Sequence, residues 1–302
     1  MTVLVTGFTG NSGYEVAQSL KSKGIPFKCA VRDVEKAIKR YGIEYDFVHL
    51  DFADKATFAT ALQEINHLFL MYPPGANLQF EAFLEEVKKR GVRHIAYLSV
   101  KDVQFLPFIH HFKNEKLIKK LGIPYTFIRA GYFMQNLNDF LCEEIKERQR
   151  IFVPAGNGKT SFVDVRDLAE AASLTFQEPQ LHKNKAYTIT GEEALDFSQV
   201  ANKMTSILGQ PISYTNPSAK DFKQFMLGRG KDKAFINVVI GIHFPTKLGL
   251  AKGVSTDYQK LTGKKPIKIE NYIHDYRGYW EYGWNREPDD RQCHRTAVQA
   301  CQ

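Results

Sequence analysis

Three glycines spaced three apart, Gly7, Gly10 and Gly13, follow directly on the apolar run Val3-Leu4-Val5. Val16, Ala17 and Leu20 then recur at helical spacing, so the stretch reads as strand, tight turn and helix N-terminus. That geometry holds a pyrophosphate: glycine permits positive φ and close backbone approach, and the helix start offers free N–H groups and partial positive charge. The spacing is G-x-x-G-x-x-G, not the commoner G-x-G-x-x-G.

Further residues with chemistry stand at the ends of the strands that follow. Ile25–Val31 reads as a second strand ending in Arg32-Asp33. A carboxylate there accepts from both ribose hydroxyls and favours NAD, whereas an arginine pairs with the 2′-phosphate of NADP. The alternation of Phe27, Cys29 and Val31 points to Arg32 at the strand end and therefore to NADP, with Lys36 adding charge on the same side. Asp51, after the strand Tyr45–Leu50, is placed either to accept from an adenine amino group or to cap a helix over Lys55–Ile65. His67–Met71 is a fourth strand, closed by Tyr72-Pro73-Pro74, which leaves the backbone at Met71–Tyr72 on the ligand side of a parallel sheet.

Tyr97-x-x-x-Lys101 has the spacing of a tyrosine–lysine catalytic pair, but that pair needs a helix. On the strand Arg93–Val100 the two residues lie about 13 Å apart, so the pair is rejected, and Ser99 is the better candidate to touch cofactor or substrate. Gly156-Asn157-Gly158-Lys159-Thr160 imitates a phosphate loop, yet Val153 stands where that loop needs glycine, and the stretch reads as a hairpin turn.

Helices alternate with these strands: one over Leu78–Arg90, one starting at His110-His111 and ending near Gly122, and one entered at Asp164 or Arg166. Such alternation predicts an α/β fold built on a doubly wound parallel sheet. From Ile212 onward the periodicity is helical and less regular, and a smaller, mainly helical C-terminal lobe is expected.

The composition, 43% hydrophobic and 25% charged over 302 residues, is that of a soluble globular protein. No stretch approaches the roughly 18 apolar residues of a membrane span, and no signal peptide precedes the first strand. Cys29, Cys142, Cys293 and Cys301 show no paired spacing and suit free thiols in a cytoplasmic protein. The net charge of +8 is spread over many helix faces without a reading motif, which argues against nucleic acid as a partner. The polar tail from Glu287, with Cys293, His294 and Cys301, is expected to be disordered and to hold no metal.

Taken in order, these segments resemble the NmrA-like family of atypical short-chain dehydrogenases/reductases. The likeness rests on V-T-G-F-T-G-N-S-G, V-R-D, L-D, H-x-x-x-E-K (His111, Glu115, Lys116), G-I-P-Y-T-x-I-R, Y-F-M-Q-N, S-F-V-D-V-R-D-L-A, Y-T-I-T-G and the late L-T-G-K-K-P. It implies a Rossmann-type domain over 1–131 with 159–191 that binds NADP(H), NAD(H) less so. A smaller substrate-side lobe would comprise 132–158 with 192–286, leaving 287–302 as the tail. Carried over residue by residue, cofactor contacts fall on Gly7, Thr9, Gly10, Asn11, Ser12 and Gly13. Arg32 and Lys36 serve the adenosine end, Asp51 and Phe52 the adenine, Met71, Tyr72 and Pro73 the middle. Phe133, Met134, Gln135 and Asn136 would lie by the nicotinamide, and His111 takes the position of a proton or hydrogen-bond donor near the substrate.

Two functions follow from the resemblance. One is an NADP(H)-dependent oxidoreductase for a small quinone-like or aromatic acceptor, with His111 as the donor and Tyr72, Tyr132 and Phe133 as apolar walls. The other is a non-catalytic NADP(H)-binding redox sensor acting on a protein partner. The missing helical Y-x-x-x-K argues against a sugar-nucleotide epimerase.

Overall fold

The computed structural model describes residues 1–281, and the tail with Cys293, His294 and Cys301 lies outside the described residues. The chain opens with β1 (Val3–Val5), α1 (Asn11–Ser22), β2 (Phe27–Val31), α2 (Val34–Tyr41) and β3 (Phe47–His49). A single 3₁₀ turn precedes the short helix α3 (Phe58–Ala61), then come β4 (His67–Leu70), α4 (Phe80–Lys89), β5 (His94–Val100), α5 (His110–Leu121) and β6 (Tyr125–Ala130). After these follow β7 (Tyr132–Phe133), α6 (Cys142–Arg148), β8 (Arg150–Ile151), β9 (Thr160–Val163), α7 (Val165–Gln177), α8 (Pro179–His182) and β10 (Lys185–Ile189). The last elements are β11 (Ala194–Leu195), α9 (Phe197–Leu208), β12 (Ser213–Tyr214), α10 (Ala219–Gly228), α11 (Lys233–Lys247), α12 (Asp257–Thr262) and α13 (Ile269–Asp275).

The chain divides into two compact units. The first comprises Met1–Ala130, Val165–Ile189 and Asp257–Lys264. Its seven strands form one sheet in the order β10-β6-β5-β4-β1-β2-β3, every pairing parallel. The order reverses at β1, which lies between β2 and β4, and the carboxyl ends of β1 and β4 therefore form the crevice where such sheets take ligands. Leu4, Leu68, Leu70, Ile95 and Tyr97 join Phe83, Leu84 and Ile118 in one core cluster, and Phe8, Cys29 and Val31 join Ala37 and Tyr41 in another. These strands, VLV, HLFL and HIAYLSV, are nearly continuous apolar runs, as a sheet covered on both faces requires.

The second unit comprises Gly131–Asp164, Thr190–Thr256 and, among the described residues, 265–281. It is mainly helical, with a three-stranded sheet β11-β9-β7 and a two-stranded parallel pair β12-β8. Its core gathers Phe162, Phe197, Tyr272 and Trp280. Helix α9 begins on a capping box, Asp196 and Gln199 satisfying each other's backbone N–H groups, and ends on Gly209 in the left-handed conformation.

Several local expectations change. The stretch 159–164, read with the nucleotide domain, puts β9 into the second unit's sheet, while 257–264 returns to the first. The expected helix Lys55–Ile65 shrinks to a 3₁₀ turn and α3, with Asp54 rather than Asp51 capping it through the Ala56 N–H. Gly156–Thr160 is not a hairpin turn, because β8 pairs with β12 and β9 with β7 and β11. Gly158 is there for close approach: a Cβ would stand 1.6 Å from the Thr246 carbonyl oxygen near the end of α11.

At the amino ends of the central strands β4 and β5, His67 and His94 face each other in register, rings 6.0 Å apart and both against Phe176. Thr126 donates to the His182 carbonyl, so its hydroxyl oxygen accepts from His94 Nε2 at 2.9 Å. Burial, then Arg93, lowers His67 to about 4, and burial, then the neighbouring imidazoles, lowers His94 to about 3. Both are neutral in the folded chain, so their stabilisation is complete above the unfolded value near 6.5 and is lost as pH falls toward 4. The pair is expected to give a slope of about 2.7 kcal/mol per pH unit over that interval. Thermal unfolding from pH 7 to pH 5 checks this, and His94→Gln should remove about half of the acid sensitivity.

Candidate cofactor and substrate site

The crevice at the end of β1 and β4 is tied by one side chain. Thr6 Oγ1 donates to the Phe69 carbonyl at 3.0 Å and accepts the Met71 N–H at 2.9 Å, while Thr6 N–H donates to the same Phe69 carbonyl. This hydroxyl joins the two strand ends just where the sheet order reverses. Sequence reading missed it, since a threonine closing an apolar strand carries no distinctive spacing.

Beyond Thr6 each glycine has its own task. Gly7 turns the chain at φ +68°, and a Cβ there would meet Met71 Sδ at 2.7 Å. Gly10 is the N-cap of α1 in extended conformation, without a side-chain cap. Gly13 lets α1 sit directly on the turn: a Cβ would stand 2.2 Å from the Gly7 carbonyl oxygen and 2.7 Å from Phe8 N. Phe8 anchors the loop from below, fully buried among Tyr14, Tyr41, Tyr45 and Phe47 at 4.9–5.7 Å. Thr9 is exposed, Asn11 half-buried and Ser12 buried in the first turn of α1. The first turn carries no acidic residue, so its field favours an anion. The loop is a cradle that fits a pyrophosphate.

At the end of β2 the two open readings separate. Asp33 is the N-cap of α2, its Oδ1 accepting the Lys36 N–H at 2.9 Å. Arg32, one residue past the strand, and Lys36 are exposed, and neither has an ion pair among the described residues. Asp51 Oδ1 accepts the Ala53 N–H at 2.9 Å, closing a turn at the end of β3. Phe52 is inside the protein, with Phe58, Phe80 and Phe83 at 4.8–6.4 Å, so its ring is core rather than an adenine contact. Met71, Tyr72 and Pro73 are half-buried after β4, with Tyr72 stacked on His110 at 4.9 Å and 18°.

Two polar groups fasten α5 to the sheet. The Arg129 guanidinium clasps Glu115 through Nε at 3.0 Å and Nη2 at 2.7 Å, and Ser99 Oγ donates to the same carboxylate at 2.8 Å. Ser99 is only 1% exposed, so its hydroxyl serves this buried triad and not a ligand. Further along, Tyr97 Oη meets His111 Nδ1 at 2.9 Å and accepts from Asn114 Nδ2 at 3.0 Å. Lys101 pairs instead with Asp102 at 2.6 Å, so Tyr97 and Lys101 do not act together. His111 is half-buried in the first turn of α5. In the second unit, Phe133, Met134, Gln135 and Asn136 are all buried, Gln135 donating to Asp164 at 3.1 Å, and Tyr132 bonds His243 at 3.1 Å.

The NmrA-like family model matches residues 1–273. The chain belongs to the NmrA-like family. An NAD(P)H azoreductase of Xenophilus azovorans is 29% identical over 270 residues, covering 87% of this NmrA-like chain and 93% of that protein. The fold matches the Citrobacter sp. triphenylmethane reductase complexed with NADP(H), with a TM-score of 0.80, 25% identity, and coverage of 91% and 99% of the two chains. The NADPH-dependent quinone oxidoreductase QOR2 of Escherichia coli, complexed with NADPH, matches at a TM-score of 0.81 and 25% identity over the same shares.

The α1 cradle makes a direct prediction. Gly13→Ala forces backbone apart and should destabilise the chain by about 1–3 kcal/mol, read as a lower thermal midpoint. Gly228→Ala, on α10 with nothing within 4 Å of the new Cβ, should leave the midpoint unchanged or raise it.

Proposed function

We propose that this chain is an NADP(H)-dependent oxidoreductase that transfers hydride to a small quinone-like or aromatic acceptor. The reading rests on the anion cradle at the switch point with Arg32 open at the end of β2, the carboxylate beside it being occupied in capping α2. Gly7–Gly13 and the first turn of α1 would hold the pyrophosphate, Arg32 with Lys36 the 2′-phosphate, and Met71–Pro73 the middle of the dinucleotide. Asp51 retains a second carboxylate oxygen for the adenine. The named reductases among the relatives, for azo compounds, triphenylmethanes and quinones, support a conjugated acceptor.

When bound, the reduced nicotinamide supplies hydride, and water supplies the one proton that completes reduction of a quinone. The chain's own task is to orient and to exclude water. A conjugated acceptor spreads the charge that develops on its oxygen, so a hydrogen-bond donor suffices, and His111 takes that role. Tyr72, stacked on the preceding residue His110, offers an aromatic surface.

Arg32→Ala should weaken NADPH binding about 10–100-fold, the magnitude of a charge-assisted contact, and change NADH binding by less than about twofold, as measured by fluorescence titration. Equal losses for both would remove Arg32 from the 2′-phosphate. His111→Ala should lower turnover of a quinone about tenfold or more while leaving the NADPH dissociation constant in place. Tight NADPH binding with no turnover across quinones, azo dyes and triphenylmethane dyes would instead favour a redox sensor.

A further inference from the structure

Tyr97 lies in the middle of β5 with no exposed surface, its ring edge-on to Phe127. A buried hydroxyl needs a partner for its one proton. Two side chains of α5 reach it, His111 and Asn114, which lie three residues apart and so share one helix face. Asn114 presents its amide nitrogen, which can only donate, and that bond uses Tyr97 Oη as acceptor. The phenolic proton is left with one destination, His111 Nδ1 at 2.9 Å. Burial pushes the phenol well above its ordinary value, so the proton stays on oxygen and the bond is a donation rather than a transfer. A neutral imidazole that accepts at Nδ1 carries its own proton on Nε2.

We infer that Tyr97 is a positioning residue, whose hydroxyl, oriented by Asn114, locks His111 in the Nε2–H tautomer and aims that N–H as the hydrogen-bond donor for the acceptor's oxygen. The inference rests on the reading of His111 as donor, and it gives the Tyr97 of the rejected Tyr97–Lys101 spacing a different partner and a different task. No proton leaves the chain in this arrangement.

The test is made first on the full wild-type chain without cofactor. Two-bond 1H–15N correlation on histidine-labelled protein near pH 8, with His111 signals identified by their loss in His111→Asn, should show a single Nε2–H tautomer. In Tyr97→Phe the same signals should move to a tautomer mixture. With NADPH and a quinone, kcat of Tyr97→Phe should fall about tenfold with KM for NADPH within about twofold of wild type. A wild-type His111 in the Nδ1–H form, or an unchanged His111 spectrum in Tyr97→Phe, overturns the inference. If Tyr97→Phe does not fold, the wild-type spectrum decides alone. An absence of turnover on any acceptor would count against the reductase reading, while the tautomer result would still decide the role of Tyr97.

Discussion

Everything at the nucleotide end of the first unit depends on a missing Cβ. Helix α1 can start directly above the turn after β1 only because position 13 carries no side chain. Any carbon there would sit 2.2 Å from the Gly7 carbonyl oxygen, well inside contact distance. That close approach brings the first turn of α1, the positive end of the helix, down onto the turn after β1, and Gly7 keeps Met71 close by the same means. Phe8 then takes the opposite direction into the core, so the loop is pinned by one large ring and shaped by small residues. The Thr6 hydroxyl completes the arrangement, since it satisfies one carbonyl and one N–H at the ends of two strands that the sheet order has separated in sequence by more than sixty residues.

A second principle governs α5. Its apolar face is sparse, Ile118 being its fully buried hydrophobic residue, and polar groups do much of the fastening. Glu115 meets Arg129 in a bidentate pair with a hydroxyl donor added, so the carboxylate taken out of water regains its partners. Next to it, Asn114 shares a single phenol with His111, which lies one turn earlier. Fully satisfied buried polar groups admit few alternative geometries, because any shift of the helix leaves one of them unpaired. The helix that carries the candidate donor is thereby held in one register, which suits a group whose value lies in its direction.

The sequence was most legible where a physical rule acts locally. Apolar β-branched runs of three to seven residues read as strands, and glycine spacing read as a phosphate turn. The order of motifs placed the chain in its family, a reading the match over residues 1–273 bears out. It was least legible where one residue can serve two neighbours. Asp33 offered a ribose contact beside the favoured Arg32 and is a helix cap; Asp51 offered an adenine contact or a helix cap, and its Oδ1 closes a turn of its own. Ser99 was assigned to a ligand because it stands at a strand's mouth and Phe52 because of the family resemblance, but burial gives one to a carboxylate and the other to a phenylalanine cluster. The Gly156–Gly158 stretch had the composition of a hairpin, and only the strand pairings reveal a loop shaped by the end of α11.

By itself, then, the sequence determined the alternation of strand and helix, the glycine cradle and the residue types available at each strand end. All of these follow from side-chain period and backbone freedom within a few residues. Only the tertiary structure decided which of those residues have their hydrogen-bonding groups already engaged. The sheet sets Tyr97, His111 and Asn114 together, and Ser99 with Glu115 and Arg129, across gaps of three to thirty residues. A hydroxyl has one proton to give, and its direction depends on neighbours that the folded chain alone supplies.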